Sequence, residues 1–156
     1  MTERYDSRPD TYAHIQTVQR MLNAAVRELL RRSAEHDQSK LVDPERAIFD
    51  EFTPKLKAMT YGSEEYAACL AAMKPALDHH YAANSHHPEH FPGGVHDMTL
   101  LDLLEMLIDW KAATMRHTDG DIRRSLEINQ RRFGYSDEFK RILANTVDWL
   151  ESEVSR

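Results

Sequence analysis

Thr99-Leu100-Leu101-Asp102-Leu103-Leu104-Glu105-Met106-Leu107-Ile108-Asp109-Trp110 is the stretch on which the fold turns. It is too long and too poor in β-branched residues for a buried strand, and its leucines and methionine favour helix. Thr99, with Asp102 three residues on, has the pattern of a capping box that starts such a helix. Leu100, Leu101, Leu103, Leu104, Met106, Leu107 and Ile108 leave it apolar on most sides, so it is expected to be a buried central helix. Asp102, Glu105 and Asp109 recur at steps of three and four and form one narrow acidic stripe on it.

Outward from that helix the chain repeats the same theme. Only twelve of the 156 residues are Val or Ile, alternating apolar and polar runs are absent, and the expected fold class is all-α. A first helix is predicted from Pro9 to Ala34, where Ile15, Val18, Leu22, Val26 and Leu29 recur at helical spacing. A break is expected at His36 to Leu41. Asp43-Pro44 then starts a second helix that Pro54 should interrupt or kink. Ser63 opens a third helix to about Asn84, with Pro75 as a kink. Pro88, Pro92, Gly93 and Gly94 forbid a regular helix between His86 and Asp97, which reads as an ordered loop. Asp121 to Phe133 and Asp137 to Val154 complete a bundle of about six or seven helices.

A length of 156 residues suits one domain over residues 1–156, and no repeat or linker divides it. No apolar run approaches a membrane span. A net charge of −6 counts against duplex nucleic acid as a partner, because phosphate neutralisation needs a basic face. The lone Cys69 forms no internal disulfide, and with no signal-peptide pattern a cytoplasmic setting is expected.

Histidine is the exception in this composition. Six of the nine histidines, His79, His80, His86, His87, His90 and His96, fall within 18 residues. Leu70, Met73 and Leu77 form the apolar stripe of the third helix, and the next positions on it are His80 and Asn84, with His87 beyond. His79 is rotated by roughly 100° from that line and, like His96 and His117, reads as a surface residue. His86-His87-Pro88-Glu89-His90 packs three imidazoles and a carboxylate into five residues, and imidazole is the commonest metal-binding side chain near neutral pH. The same loop has an ordinary alternative as a solvated His-rich segment. His36-Asp37 at the first helix end is a second imidazole-carboxylate pair, which helix capping also explains. His14 lies near the stripe of the first helix, as a ligand or as a core histidine bonded to a carbonyl.

Taken together, His14, His36-Asp37, the histidine cluster and Asp109 resemble the HD-domain superfamily of metal-dependent phosphohydrolases. Its phosphodiesterase branches are similar in the strings His36-Asp37-Gln38-Ser39-Lys40 and His86-His87-Pro88-Glu89. The chain also resembles an often phage-encoded family of small HD-like proteins, through His36-Asp37-Gln38-Ser39-Lys40, Asn84-Ser85-His86-His87-Pro88-Glu89-His90 and Glu105-Met106-Leu107-Ile108-Asp109-Trp110. A cytoplasm of that kind would be the host's. The spacing from His80 to His86 is shorter than in the cyclic-dinucleotide enzymes.

The resemblance implies an HD-like bundle holding one or two divalent ions, Mn, Fe, Mg, Zn or Ni. His14, His36, Asp37 and Asp109 would hold one, with Asp37 bridging to a second held by His80 and His86 or His87. It implies a phosphohydrolase acting on a small, nucleotide-like phosphoester through a metal-activated water. Lys40 would touch the phosphate or donate a proton to the leaving oxygen, and Glu89 or Glu105 would orient imidazoles. His90 and Arg116 would contact phosphate. An HD-fold di-iron oxygenase and a non-catalytic metal- or nucleotide-binding protein are the alternatives.

Overall fold

The computed structural model describes residues 5–60, 63–116 and 120–154. The expectation for His117 lies outside these residues. Among the described residues seven α-helices follow one another: α1 (Arg8–Glu35), α2 (Glu45–Lys57), α3 (Glu64–Ala72), α4 (Lys74–Ala83), α5 (Leu100–Thr114), α6 (Ile122–Phe133) and α7 (Asp137–Val154). Short 3₁₀ turns stand at Gln38–Leu41, Pro88–His90 and Gly94–His96. No strand occurs among the described residues, and the fold is an all-α, bundle-like packing. No described helix is long and apolar enough to cross a membrane.

The helix starts follow from local chemistry. Thr99 and Asp102 form the expected capping box of α5, Ser63 Oγ accepts from the Tyr66 N–H at the start of α3, and Asp121 caps α6. Gly134, at φ +69°, ends α6 in the left-handed conformation that glycine adopts without steric cost. Pro75 does more than kink. It sits in the first turn of α4, and the expected third helix is divided at Met73 into α3 and α4. A proline there cannot donate to the preceding turn, and its ring crowds the carbonyl four residues back. Pro54 does not interrupt its helix. Helix α2 runs through it to Lys57, because so near the C-terminus the missing donor frees little of the helix.

The chain groups into two compact units, Met1–His36 and Asp37–Arg156. The first is essentially α1. Ile15, Val18, Leu22 and Val26 are exposed, α1 contains no buried residue, and His14, expected beside a buried stripe, is exposed too.

In the second unit, α2 packs on the 38–41 turn, α3 and α4, and α4 packs on the 88–90 turn. Helices α5, α6 and α7 pack on one another. Their core holds Met106, Leu107, Ile122, Leu126, Tyr135, Leu143 and Val147, with Val95 and Met98 from the loop before α5. The Tyr135 hydroxyl donates to the Leu126 carbonyl at 2.6 Å. Helix α5 buries one side only: Met106 and Leu107 are inside, whereas Leu100 is 82% and Ile108 44% exposed.

Candidate metal centre

Asp37 is the hinge of the site. It stands at φ 58°, ψ 12°, directly after the end of α1, a left-handed position that aspartate tolerates better than most residues. The turn that follows brings Lys40 Nζ to 2.6 Å from Asp37 Oδ2, and Lys40 also lies over the Phe49 ring at 5.2 Å. The other carboxylate oxygen faces histidines. Asp37 Oδ1 is 3.3 Å from His80 Nε2 and 3.5 Å from His86 Nε2, and His80 Nε2 is 2.9 Å from His87 Nε2.

Helix α4 supplies His80 on its buried side, as its stripe predicts, and the loop after Asn84 returns His86 and His87 onto it. His80 and His86 are buried and His87 is half-buried. One ligand atom from each of Asp37, His80, His86 and His87 lies within 4.8 Å of the others. Ligands sharing an ion at about 2.0–2.2 Å stand roughly 3–4.4 Å apart, so the spacings and the donor set fit a divalent cation.

Acidic neighbours hold the outer nitrogens. Glu105 Oε1 is 3.3 Å from His86 Nδ1, next to an imidazole that it could orient. Glu45, which no sequence motif singles out, is 0% exposed and lies 2.9 Å from His80 Nδ1 and 2.7 Å from His79 Nδ1. His79, read as a surface residue, is half-exposed but tied to that carboxylate.

The acidic stripe of α5 separates into three different tasks. Asp102 is buried and accepts from Thr99 and from Ser85 Oγ, so it serves the helix start. Glu105 faces His86. Asp109 has a carboxylate oxygen within 4.8 Å of one of Asp37, and its charge acts on His87.

Glu89, His90 and Arg116 fall elsewhere. Glu89, expected to orient an imidazole, pairs with Arg132, and His90 is exposed with Nδ1 2.9 Å from the Tyr81 carbonyl. Arg116 is exposed just past the end of α5. His14 and His36 belong to the first unit, His36 as the residue that ends α1. The Gly93 N–H donates to Asp97 Oδ2 at 2.8 Å, and a Cβ on Gly93 would meet that carboxylate at 2.6 Å. A side chain at position 93 would therefore have to displace the Asp97 carboxylate from this N–H.

Burial would raise the Asp37 carboxyl, but the adjoining imidazoles of His80 and His86 and the charge of Lys40 hold it well below the usual carboxylate range. Burial, followed by the neighbouring His86 and His80, pulls His87 down to about 3. An imidazole depressed in the fold stays neutral there while the unfolded chain takes up a proton below about 6.5. The stability it contributes is present above that pH and is lost as pH falls toward 3. For EDTA-treated protein we expect urea unfolding to show a loss on the order of 1–2 kcal/mol between pH 7 and pH 5. The loss should disappear in His87→Gln; an equal loss in that variant would refute the assignment.

The profile of the family of unknown function DUF5662 matches residues 3–156. No curated protein and no solved structure matches the chain.

Proposed function

Since the chain belongs to that family of unknown function, which brings no activity with it, we propose from the site itself that this protein is a metal-dependent phosphohydrolase or phosphodiesterase of the HD type. The carrying observation is the convergence of ligand atoms from Asp37, His80, His86 and His87 within 4.8 Å. The resemblance of His36-Asp37-Gln38-Ser39-Lys40 and the His86-His87 loop to HD phosphohydrolases supplies the reaction class. A nucleotide-like phosphoester is the substrate that class favours. A divalent ion bound there would bring a water toward neutral pKa and offset charge on a phosphoryl group.

The chain's own residues have separable parts in this reading. Asp37, His80, His86 and His87 bind the ion, and Asp109 adds a carboxylate next to Asp37. Glu105 orients His86 from behind. Lys40, 2.6 Å from Asp37, is placed to meet a phosphate oxygen drawn to the same centre and to give a proton to the leaving oxygen.

The test is metal analysis of the purified protein, followed by turnover of cyclic and linear dinucleotides and nucleoside monophosphates with added Mn²⁺, Fe²⁺ or Zn²⁺. Metal-dependent release of a hydrolysis product is expected. Iron with a visible absorption band and oxygen consumption would replace the reading with oxygenase chemistry, and tight nucleotide binding without turnover would replace it with a binding role. Lys40→Ala is expected to lower kcat/KM by about 100-fold while Mn²⁺ remains bound. Unchanged kcat/KM would remove Lys40 from the reaction.

A further inference from the structure

A fully buried carboxylate needs compensation, because an unpaired charge in the interior is strongly unfavourable. Glu45, in the first turn of α2, finds it in three side chains far along the sequence or across the turn. Its Oε1 lies 2.7 Å from His79 Nδ1. Its Oε2 lies 2.9 Å from His80 Nδ1 and accepts from Ser39 Oγ at 3.1 Å.

The hydrogens around His80 can be followed one by one. The Asn84 amide has two hydrogens, and it donates to the His80 carbonyl at 2.8 Å and to Ser39 Oγ at 3.0 Å. Ser39 Oγ lies 3.1 Å from both Glu45 Oε2 and His80 Nδ1, and its hydrogen goes to the carboxylate, the stronger acceptor of the two. With both amide hydrogens used, the 3.0 Å approach of Asn84 to His80 Nδ1 supplies no donor. The proton between His80 Nδ1 and Glu45 therefore belongs to the imidazole, since an ionised carboxylate only accepts. A neutral imidazole protonated at Nδ1 has its lone pair on Nε2, the atom that faces Asp37 and His87.

We propose that Glu45 is a positioning residue of the centre: it holds His80 as the Nδ1–H tautomer, so that the Nε2 lone pair is aimed at the ligand cluster. His79 binds the second oxygen, which fixes the rotation of the carboxylate so that Oε2 stays on His80. The tautomer claim rests on the hydrogen-bond geometry alone, and its consequence for ion binding rests on the reading of the cluster as a metal centre. Carboxylate–imidazole–metal arrangements of this kind orient the ring and strengthen it as a ligand.

The experiment reads the two parts separately in the full chain. Nitrogen-15 correlation spectra of the imidazoles, taken at pH 8 on EDTA-treated protein, report the tautomer of His80, and calorimetry with Mn²⁺ alone reports affinity. In the parent, His80 is expected to be protonated at Nδ1. Glu45→Leu, which removes the acceptor, should move the proton toward Nε2 and weaken Mn²⁺ binding by about 100-fold. Glu45→Gln keeps an oxygen that can accept from Nδ1, so it should restore the tautomer and lose only about 10-fold in affinity. Because that variant preserves shape, it keeps the test decisive if Glu45→Leu does not fold.

His80 protonated at Nε2 in the parent would overturn the proposal. So would Glu45→Leu with parental tautomer and Mn²⁺ affinity, or Glu45→Gln with the tautomer lost. A parent with the expected tautomer that binds no Mn²⁺, Fe²⁺ or Zn²⁺ would overturn the metal reading while supporting the hold of Glu45 on His80.

Discussion

Asp37→Asn is expected to weaken Mn²⁺ binding by at least about 100-fold and to abolish metal-dependent turnover, with little change in the metal-free fold. The substitution is chosen so that the two effects separate. Asparagine accepts the left-handed backbone at φ 58° as readily as aspartate does, and it keeps the side-chain volume. What it removes is the negative charge that His80, His86 and Lys40 surround. The two oxygens of Asp37 also face different partners, histidines on one side and Lys40 on the other. Losing its charge therefore disturbs both the ion and the proposed phosphate contact. Calorimetry with Mn²⁺ and a thermal melt in EDTA measure the two halves. A variant that binds Mn²⁺ and turns over substrate like the parent would end the metal-centre reading.

Met106→Ala is expected to destabilise the protein by about 3 kcal/mol, within the usual range for emptying a filled core position, whereas Ile108→Ala should cost under about 1 kcal/mol. The two residues are two positions apart on α5 and look equally apolar. Met106 is 0% exposed and belongs to the core shared by α5, α6 and α7, and Ile108 faces outward. Truncating Met106 removes transfer free energy and leaves a cavity, whereas the Ile108 site is already open to water. Urea midpoints of the two variants, with far-UV dichroism to check helix content, decide the matter. Similar losses at both positions would show that α5 is buried on both sides, as its composition alone suggests.

The two substitutions also mark how far the sequence can be read. The boundaries of α6 and α7 and the capping box at Thr99 were legible because capping and helical periodicity involve residues at most four apart. The stripe of α4 placed His80 correctly for the same reason. Pro75 was expected to kink a helix and divides it, whereas Pro54 interrupts nothing, since the outcome depends on where each falls within its helix. The side of α5 that is buried was not legible at all. Its leucines run almost all the way round, and only α6 and α7 choose between them.

Within the site, Asp37, Lys40, His80, His86, His87, Glu105 and Asp109 were marked by residue type and spacing. Asp102 was grouped with the acidic stripe but serves the helix start, and Glu89 was offered as an orienting residue but pairs with Arg132. Glu45 gave no signal, because an acidic residue in a first helical turn is the commonest of arrangements and its histidine partners are 34 and 35 residues away.

By itself, then, the sequence determined the helical class, most helix limits and the inventory of ligating side chains, all consequences of short-range sterics and hydrogen bonding. Only the tertiary structure decided which of those side chains meet at one point, which carboxylate stands behind each imidazole and which face of α5 is dry. Those outcomes depend on α4, the 86–97 loop and the turn at Asp37 packing together, and on the cost of burying a charge without a partner, which a local pattern does not encode.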